Sequence, residues 1–334
     1  MQQKRKILVI GSPSDNIPDK VWADFNSSYE LLTYDFPKLD DFYQSMTSGN
    51  CQNIDGIMRI GVISTPTDNE KVALGWTRRA LPYFPSTLKM IVNFGHSFEE
   101  EDVSGLNARG VEFFNTTGGS EATAMVAVYL IISVFRQLNH YERMLRNGQF
   151  LPALRHSSQN AVDPFGKKLG IIGMGSIGQT VARQAAALGM GVHCIDRPNL
   201  RKILEAMKDE GRDLEDLVAS VDCLVLACSY SPITHYLLSR DTFSRMKRGI
   251  QIVNVARGRC IDEEALCDAI EDGTVAAAGL DVHYNEPIVN PRLLKHNCVT
   301  LLPHLGGLTH DSMKNHVLMA MKCVDDFFAS SDLT

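Results

Sequence analysis

Short apolar runs alternate with longer polar or amphipathic stretches along this chain of 334 residues. In the first third, the runs Lys6–Ile10, Gly56–Ile60 and Leu88–Phe94 have the length and composition of buried β-strands. Strands that alternate with helices are typical of a parallel sheet covered by helices. The turn-rich segment 115–120 ends this pattern.

After that turn, the sequence predicts one long apolar helix over about 121–147 and a polar loop over 155–164. The alternation then restarts at Lys168 and is more regular. It predicts strands, with helices between them, over 169–173, 191–196, 222–228, 250–256, 275–282 and 298–304. This order predicts an α/β fold with a doubly wound parallel sheet, a Rossmann-type domain. A closing helix over about 309–329 is expected to return to the first domain.

Composition narrows the class of protein. A chain of this length exceeds what one core usually supports, which predicts two domains. The net charge of −6 and the pI of about 5.9 argue against a nucleic-acid or anionic-membrane surface. The eight cysteines form no CxxC pair, and the first apolar run stops at Gly11, too short for a signal peptide or a membrane span. We therefore expect a cytoplasmic protein with reduced thiols.

A glycine-rich turn follows the strand predicted at 169–173 and opens the next helix: Gly173-Met174-Gly175-Ser176-Ile177-Gly178. Gly173 permits a tight turn, Gly175 lets a pyrophosphate approach the backbone, and Gly178 permits close packing of helix on strand. The N–H groups at the helix start attract the phosphate charge. Because Asp196 ends the next strand about 20 residues later, the pattern predicts a dinucleotide site; a plain strand–turn–helix is the alternative.

Asp196 would accept hydrogen bonds from the ribose hydroxyls of NAD and would repel the 2′-phosphate of NADP. Arg197, the next residue, is able to contact a 2′-phosphate. The sequence therefore predicts NAD as the cofactor and leaves NADP open. The alternative interpretation of Asp196 is a surface turn residue before Pro198.

Polar residues also follow three predicted strands of the second domain, at the edge where an open parallel sheet binds its ligands. They lie in Asn254-Val255-Ala256-Arg257-Gly258, in the segment from Gly279 to Pro287, and in Pro303-His304-Leu305-Gly306-Gly307. Arg257 is suited to hold a carboxylate, His304 to donate a proton, and Glu286 to stabilise the protonated imidazole. Singly, each is more often a solvated or hydrogen-bonded residue. Together they predict a site for an oxo acid.

The motifs GMGSIG with Asp196, NVARG, GLDV with NEP, and PHLGG resemble those of the D-2-hydroxyacid dehydrogenase family in order and spacing. The segments NFGHSFEEEDV, GVEFFNTTGG and AVYLIISVFRQL extend the resemblance to nearly the whole chain. Within this family, the sequence most resembles fungal members such as D-mandelate dehydrogenases and glyoxylate or hydroxypyruvate reductases. The implied activity is hydride transfer between a nicotinamide cofactor and a small 2-oxo or D-2-hydroxy acid, such as glyoxylate, hydroxypyruvate or a bulkier acid.

The resemblance implies a role for each site residue. Arg257 would orient the substrate, and His304, paired with Glu286, would protonate its carbonyl oxygen as hydride reaches C2. Cofactor contacts are implied for the glycine-rich turn and for Ser229, Thr234, Ala256, Arg257, Asp281, His304 and Gly306. No metal is implied, and His304, His310 and His316 have no carboxylate or Cys at ligand spacing.

The family also implies a division into domains. A flavodoxin-like substrate domain would comprise residues 1–118 and 306–334, and the dinucleotide-binding domain residues 119–305. Hinges at Gly118-Gly119 and Leu305-Gly306-Gly307 would let the substrate domain close over the cleft. A homodimer is implied, with the long apolar helix at its interface.

The substrate loop departs from the family pattern. Substrate contacts are implied for Gly95, His96 and Ser97, in addition to Arg257, but Ser97 replaces a glycine of the usual loop. We expect His96 and Ser97 to set the preference among 2-oxo acids. Two alternatives stay open: a dinucleotide-sensing corepressor on the same scaffold, and a formate-type dehydrogenase, in which Gln usually stands where this chain has Pro303.

Overall fold

The computed structural model describes residues 4–11, 17–34, 36, 39–60, 80–95, 100–195 and 212–331. Contacts within the chain define two compact units: unit 1 comprises Met1–Gly119 and Leu308–Thr334, and unit 2 comprises Ser120–Gly307. The second boundary follows Gly307 and not Leu305, because the backbone N–H of Gly306 donates to Asp281 inside unit 2.

Unit 1 is built on a parallel sheet of five strands. The strands are β1 Lys6–Ile10, β2 Glu30–Thr33, β3 Gly56–Arg59, β4 Met90–Asn93 and β5 Glu112–Asn115. Their order is β2-β1-β3-β4-β5, which is the flavodoxin-like order. The described helices of this unit are α1 Asp19–Ser28, α2 Leu39–Ser48, α3 Glu100–Asn107 and, at the end of the chain, α11 His310–Ser331.

The three central strands of unit 1 are almost wholly buried, as expected for continuous apolar runs in a parallel sheet. On one face, Ile7 and Met58 lie in a core to which α11 contributes Val317 and Val324. The sequence does not predict the edge strands β2 and β5, because their residues are partly exposed and form no continuous apolar run.

Unit 2 contains a parallel sheet of six strands. The strands are β6 Lys168–Ile172, β7 Gly191–Ile195, β8 Cys223–Leu226, β9 Ile250–Asn254, β10 Val275–Leu280 and β11 Val299–Leu301. The described helices are α4 Ser120–Arg136, α5 Leu138–Arg146, α6 Phe150–Asn160, α7 Ser176–Ala187, α8 Arg212–Ser220, α9 Arg240–Ser244 and α10 Glu263–Glu271. The order β11-β10-β9-β8-β6-β7 places β6 beside β8, where the winding reverses. The predicted α/β fold with a doubly wound sheet is confirmed.

The segment 121–160 differs from the prediction. The long helix is two helices, α4 and α5, bent by 70° at Gln137, whose φ of +51° interrupts the helical backbone. No glycine or proline marks this break, so the apolar pattern runs through it. The predicted loop is largely α6. No single described helix is long and apolar enough to cross a bilayer; the bent pair α4–α5 meets that criterion only when its two helices are counted together.

Candidate active site

The glycine-rich turn lies between β6 and α7, at the point where the winding of the sheet reverses. Gly173 has a φ of +100°, and a Cβ there would lie 2.7 Å from the backbone of Cys228, the second residue after β8. The Gly173 N–H donates to the carbonyl of Ile195, at the end of β7, over 2.9 Å. Only glycine satisfies both the left-handed conformation and the close approach.

The other two glycines of the turn differ in what surrounds them. A Cβ at Gly178 would lie 1.9 Å from the carbonyl oxygen of Gly173, so the helix packs directly on the turn. At Gly175, by contrast, no heavy atom lies within 4 Å of that position. Gly175 also precedes α7 without a side chain that caps the first N–H groups of the helix. The exposed space and the uncapped helix start fit a pyrophosphate.

The remaining residues of the turn are held by their neighbours. The hydroxyl of Ser176 lies 2.9 Å from that of Ser120, at the start of α4. Ile177 is partly buried and packs against the apolar core between α4 and the sheet. Asp196 and Arg197, which the sequence assigns to the ribose and to a 2′-phosphate, lie outside the described residues.

The loop after β8 is fastened by Thr234. Its buried hydroxyl donates to the carbonyl of Ser229 over 3.0 Å and accepts the N–H of Ser231 over 2.8 Å. Ser229 itself is exposed. The hydroxyl of Thr234 therefore stabilises the loop after β8 through its backbone hydrogen bonds. Its contact with a cofactor stays a prediction.

Asn254, at the end of β9, fixes the loop that carries Arg257. Its fully buried amide accepts the N–H of Ala256 over 3.0 Å and donates to the carbonyl of Arg257 over 3.0 Å. The loop is further constrained at Gly258, where a Cβ would lie 1.9 Å from the carbonyl carbon of His283. The loop after β9 thus packs directly against the loop after β10.

Arg257 supplies a cation at this edge of the sheet. It is partly buried, and one guanidinium nitrogen donates to the carbonyl of Ala256 over 2.6 Å. Burial lowers the pKa of Arg257, while the nearby Cys260 and Glu286 oppose that shift. An arginine side chain stays protonated at neutral pH even so, which suits it to bind a carboxylate.

Glu286 and His304 form the predicted pair. One Glu286 oxygen, Oε2, lies 3.0 Å from Nδ1 of His304, and the other, Oε1, accepts the N–H of His283 over 3.0 Å. The side chains are 27% and 40% exposed, so the imidazole is held on one side and open on the other. His304 has a φ of +57°, a left-handed conformation that costs a non-glycine residue about 1–3 kcal/mol.

The turn that carries His304 is held by Asp281. The buried carboxylate of Asp281 accepts the N–H groups of Leu305 and Gly306, each over 2.9 Å. Its backbone carbonyl accepts the N–H of His304 over 2.7 Å. The family resemblance implies a cofactor contact for Asp281. In the structure, Asp281 positions the turn that carries His304.

The positioning roles of two further residues were not predicted from the sequence. Glu263, in the first turn of α10, accepts the N–H of Tyr284 over 2.8 Å, and burial raises its pKa. It appears in the sequence as an ordinary acidic residue at a helix start, so no local signal identifies it. Gly258 has such a signal, because a glycine directly after Arg257 indicates a close backbone approach.

Unit 1 contains the predicted residue Gly95, directly after β4 and its neighbour Phe94. The Gly95 N–H donates to the hydroxyl of Thr116 over 3.0 Å, and this hydroxyl lies 2.6 Å from Nδ1 of His316 on α11. Gly95 has a φ of +71°. The start of the predicted substrate loop is thus fixed by buried groups. His96 and Ser97 lie outside the described residues.

Comparison with known proteins identifies the family of this chain. The model of the protein family described as "D-isomer specific 2-hydroxyacid dehydrogenase, NAD binding domain" matches residues 128–306, more than half of the chain. The 4-methyl-2-oxopentanoate reductase A of Aspergillus oryzae is 33% identical over 306 residues, which are 90% of this chain and 89% of that protein. The chain belongs to the D-isomer specific 2-hydroxyacid dehydrogenase family.

Other members of the family agree with this assignment. The holo crystal structure of Rhodotorula graminis D-mandelate dehydrogenase superposes with a TM-score of 0.85 at 30% identity, covering 98% of this chain and 95% of that one. A glyoxylate reductase of Thermococcus kodakarensis is 33% identical over 227 residues, 67% of this chain and 68% of that protein. As a 2-hydroxyacid dehydrogenase, the protein is an oxidoreductase with an NAD-binding domain, as predicted. The corepressor alternative has no support among these relatives.

The glycine-rich turn of this 2-hydroxyacid dehydrogenase provides a test of the cofactor site. Gly175→Ala adds a methyl group to open space, so the free energy of unfolding should change by less than about 1 kcal/mol, whereas NADH should bind at least about tenfold more weakly. Gly178→Ala, the matched control, should instead lower the free energy of unfolding by about 1–3 kcal/mol. Urea unfolding and NADH fluorescence titration measure the two effects. Native NADH affinity in Gly175→Ala would remove this glycine from the site.

The turn after β11 provides a second pair of matched variants. A Cβ at Gly306 would lie 2.7 Å from Oδ2 of Asp281, but a Cβ at Gly307 would meet nothing closer than 3.6 Å. Gly306→Ala should therefore destabilise the protein by about 1–3 kcal/mol, and Gly307→Ala by less than about 1 kcal/mol. Equal melting temperatures for the two variants would contradict the close packing of Gly306 against the carboxylate of Asp281.

Proposed function

We propose that the protein reduces a small 2-oxo acid to the D-2-hydroxy acid with NADH. The observation that carries this proposal is the contact between Glu286 and His304, over 3.0 Å, in the same unit as a partly buried cation, Arg257. A histidine held by a carboxylate is an acid for a carbonyl oxygen, and an arginine is a binder for the neighbouring carboxylate. The two requirements together describe a 2-oxo acid.

The residues would act in a defined order. Arg257 binds the substrate carboxylate and holds the carbonyl in place. Glu286 holds Nδ1 of His304, so that Nε2 faces the carbonyl oxygen and donates its proton there. NADH, when bound at the glycine-rich turn, supplies the hydride for C2. In the reverse direction, Nε2 of His304 accepts the hydroxyl proton of the 2-hydroxy acid.

The substrate is proposed by class. The relatives are named for 4-methyl-2-oxopentanoate, mandelate and glyoxylate. These acids differ in side chain, but each has a carboxylate next to the carbon that bears the carbonyl or hydroxyl group. Glyoxylate, hydroxypyruvate, 4-methyl-2-oxopentanoate and phenylglyoxylate are the substrates to compare. We assign the choice among them to His96 and Ser97, and the preference for NADH over NADPH to Asp196. Assays of each acid with each cofactor test both assignments.

The acid–base pair provides the test of the mechanism. His304→Gln should lower kcat by about 10²–10⁴-fold, because the glutamine amide cannot donate a proton to the carbonyl oxygen. Glu286→Gln keeps the shape of the side chain but removes its charge, so its kcat should also fall. NADH affinity should stay within a few-fold of the native value in both. Near-native turnover by His304→Gln, on every acid of the panel, would exclude His304 as the acid.

We also propose a cytoplasmic homodimer, formed through the helices α4 to α6. Among the described residues, 18 large apolar side chains are exposed, and nine of them lie between residues 125 and 165. These nine are Met125, Tyr129, Leu138, Leu145, Phe150, Leu151, Leu154, Val162 and Phe165. Such a concentration is unusual for a monomer surface, and a two-fold dimer is the commonest way to cover one. Reduced thiols support the compartment.

A charge placed on this surface should dissociate the dimer. Leu151→Glu puts a carboxylate at a side chain that is 62% exposed, and Ile288→Glu, at 64% exposure outside the cluster, is the matched control. Light scattering after size exclusion should give a monomer for Leu151→Glu and a dimer for Ile288→Glu. A native protein that is monomeric at micromolar concentration would contradict the proposal.

A further inference from the structure

A buried histidine lies beside the start of the substrate loop in unit 1. His316, in the second turn of α11, is 3% exposed, and its Nδ1 lies 2.6 Å from the hydroxyl of Thr116, which directly follows β5. Thr116 is 1% exposed. The ring of His316 also lies against that of Phe94, with 4.2 Å between the ring centroids. Because Phe94 and Gly95 follow β4 and begin the substrate loop, this imidazole contacts the loop from inside unit 1.

The hydroxyl of Thr116 joins three groups. It accepts the N–H of Gly95 over 3.0 Å, its oxygen lies 3.2 Å from the carbonyl oxygen of Asn93, and it meets Nδ1 of His316. A hydroxyl has one proton to donate and two lone pairs. If that proton goes to the Asn93 carbonyl, His316 donates from Nδ1; if it goes to Nδ1, the imidazole accepts. In both cases the imidazole orients the hydroxyl and leaves a lone pair for the N–H of Gly95.

Gly95 depends on this hydrogen bond for its position. Its φ is +71°, and a Cβ there would meet no heavy atom within 4 Å, so packing around that point does not fix the backbone. Glycine also has the widest choice of backbone conformations. A hydrogen bond to a buried acceptor therefore sets the direction in which the chain leaves β4.

The same part of α11 also holds the segment that leads to unit 2. A Cβ at Gly118 would lie 2.6 Å from the backbone nitrogen of His316, so the chain passes directly over the helix at that point. One residue earlier, the hydroxyl of Thr117 donates to the sulfur of Met319 over 3.9 Å. The stretch from Thr116 to Gly118 is thus packed on α11, and the substrate loop is attached to this stretch through the N–H of Gly95.

We propose that His316 is a positioning residue for the reduction of the 2-oxo acid. It acts through Thr116: the imidazole orients the hydroxyl, the hydroxyl holds the N–H of Gly95, and Gly95 sets where the substrate loop begins. The effect on the acid rests on the proposed function, whereas the effect on the backbone of Gly95 does not.

The expected defect is in binding of the acid. Arg257, His304 and the cofactor turn belong to unit 2, while His316, Thr116 and Gly95 belong to unit 1. Loss of the imidazole should therefore raise KM for the acid and leave kcat and NADH affinity within about threefold of the native values. A displacement of about 1 Å in a positioning group can cost about 10²-fold in rate, so we expect KM to rise at least about tenfold.

The first readout is the exchange rate of the Gly95 amide proton, followed by NMR on the full chain with isotope-labelled glycine. Thr116→Val removes the hydroxyl, and His316→Gln moves the polar group from the position of Nδ1 to that of Nε2. In both variants the Gly95 proton should exchange at least about tenfold faster than in the native protein. Thr116→Ser keeps the hydroxyl, and His316→Asn keeps an amide near the position of Nδ1. These matched controls should stay within about threefold of native exchange.

The second readout is the kinetics of the same proteins on the panel of 2-oxo acids, with a titration of NADH alongside. KM for the acid should rise at least about tenfold in Thr116→Val and His316→Gln, and should stay close to native in Thr116→Ser and His316→Asn. The double variant Thr116→Val/His316→Gln should be no worse than Thr116→Val alone, because both changes break the same contact.

The outcomes separate this proposal from the proposed function. Native exchange at Gly95 in Thr116→Val or in His316→Gln would overturn the positioning role, whatever the turnover. Faster exchange with an unchanged KM, or a loss of NADH affinity as large as the rise in KM, would overturn the specific effect on the acid. Equal defects in His316→Gln and His316→Asn would assign the effect to packing of the ring and overturn the hydrogen bond. If the native protein reduces no 2-oxo acid, the proposed function fails, and the exchange at Gly95 still decides whether His316 holds the loop.

Discussion

The hydrogen bonds of Asp281 are the interactions on which the geometry of the Glu286–His304 pair depends. The carboxylate is buried after β10 and accepts two consecutive backbone N–H groups of the turn that follows β11. A charged acceptor makes stronger hydrogen bonds than a neutral one, and here it makes two at once. Together with the bond from the His304 N–H to the Asp281 carbonyl, these contacts hold a histidine in a backbone conformation that it would not otherwise prefer.

Other polar side chains around the site also hold a loop by hydrogen bonds to its backbone. Asn254 holds the loop of Arg257, Glu263 holds Tyr284, and the second oxygen of Glu286 holds His283. In each case a side-chain oxygen or amide binds the backbone of a loop: Asn254 from a strand end, Glu263 from a helix start and Glu286 from within the loop after β10. The strands therefore supply the scaffold, and a few polar side chains hold the loops at its edge in place. A positioned site of this kind loses little entropy when a substrate binds.

Much of this arrangement is readable in the sequence, because it is local. The strands of unit 2 are short apolar runs, the cofactor turn is set by three glycines, and Arg257, Glu286 and His304 each follow a strand end. The bend at Gln137 is not readable, since no glycine or proline accompanies it. The roles of Thr234 and Glu263 in holding loops are not readable from the sequence either, because tertiary packing determines the partner of each hydrogen bond. Sequence patterns predicted which strand ends carry Arg257 and His304, and not which side chains hold the loops that follow those strands.

The left-handed backbone at His304 sets stability against activity at one position. Glycine adopts this conformation without strain, so the replacement that relaxes the turn most is also one that removes the imidazole. Selection for a more stable fold alone would therefore draw the position towards glycine, and selection for turnover would draw it back. At this φ a glycine would give the more relaxed turn, and only a residue with a titratable side chain would keep the role that we propose for His304.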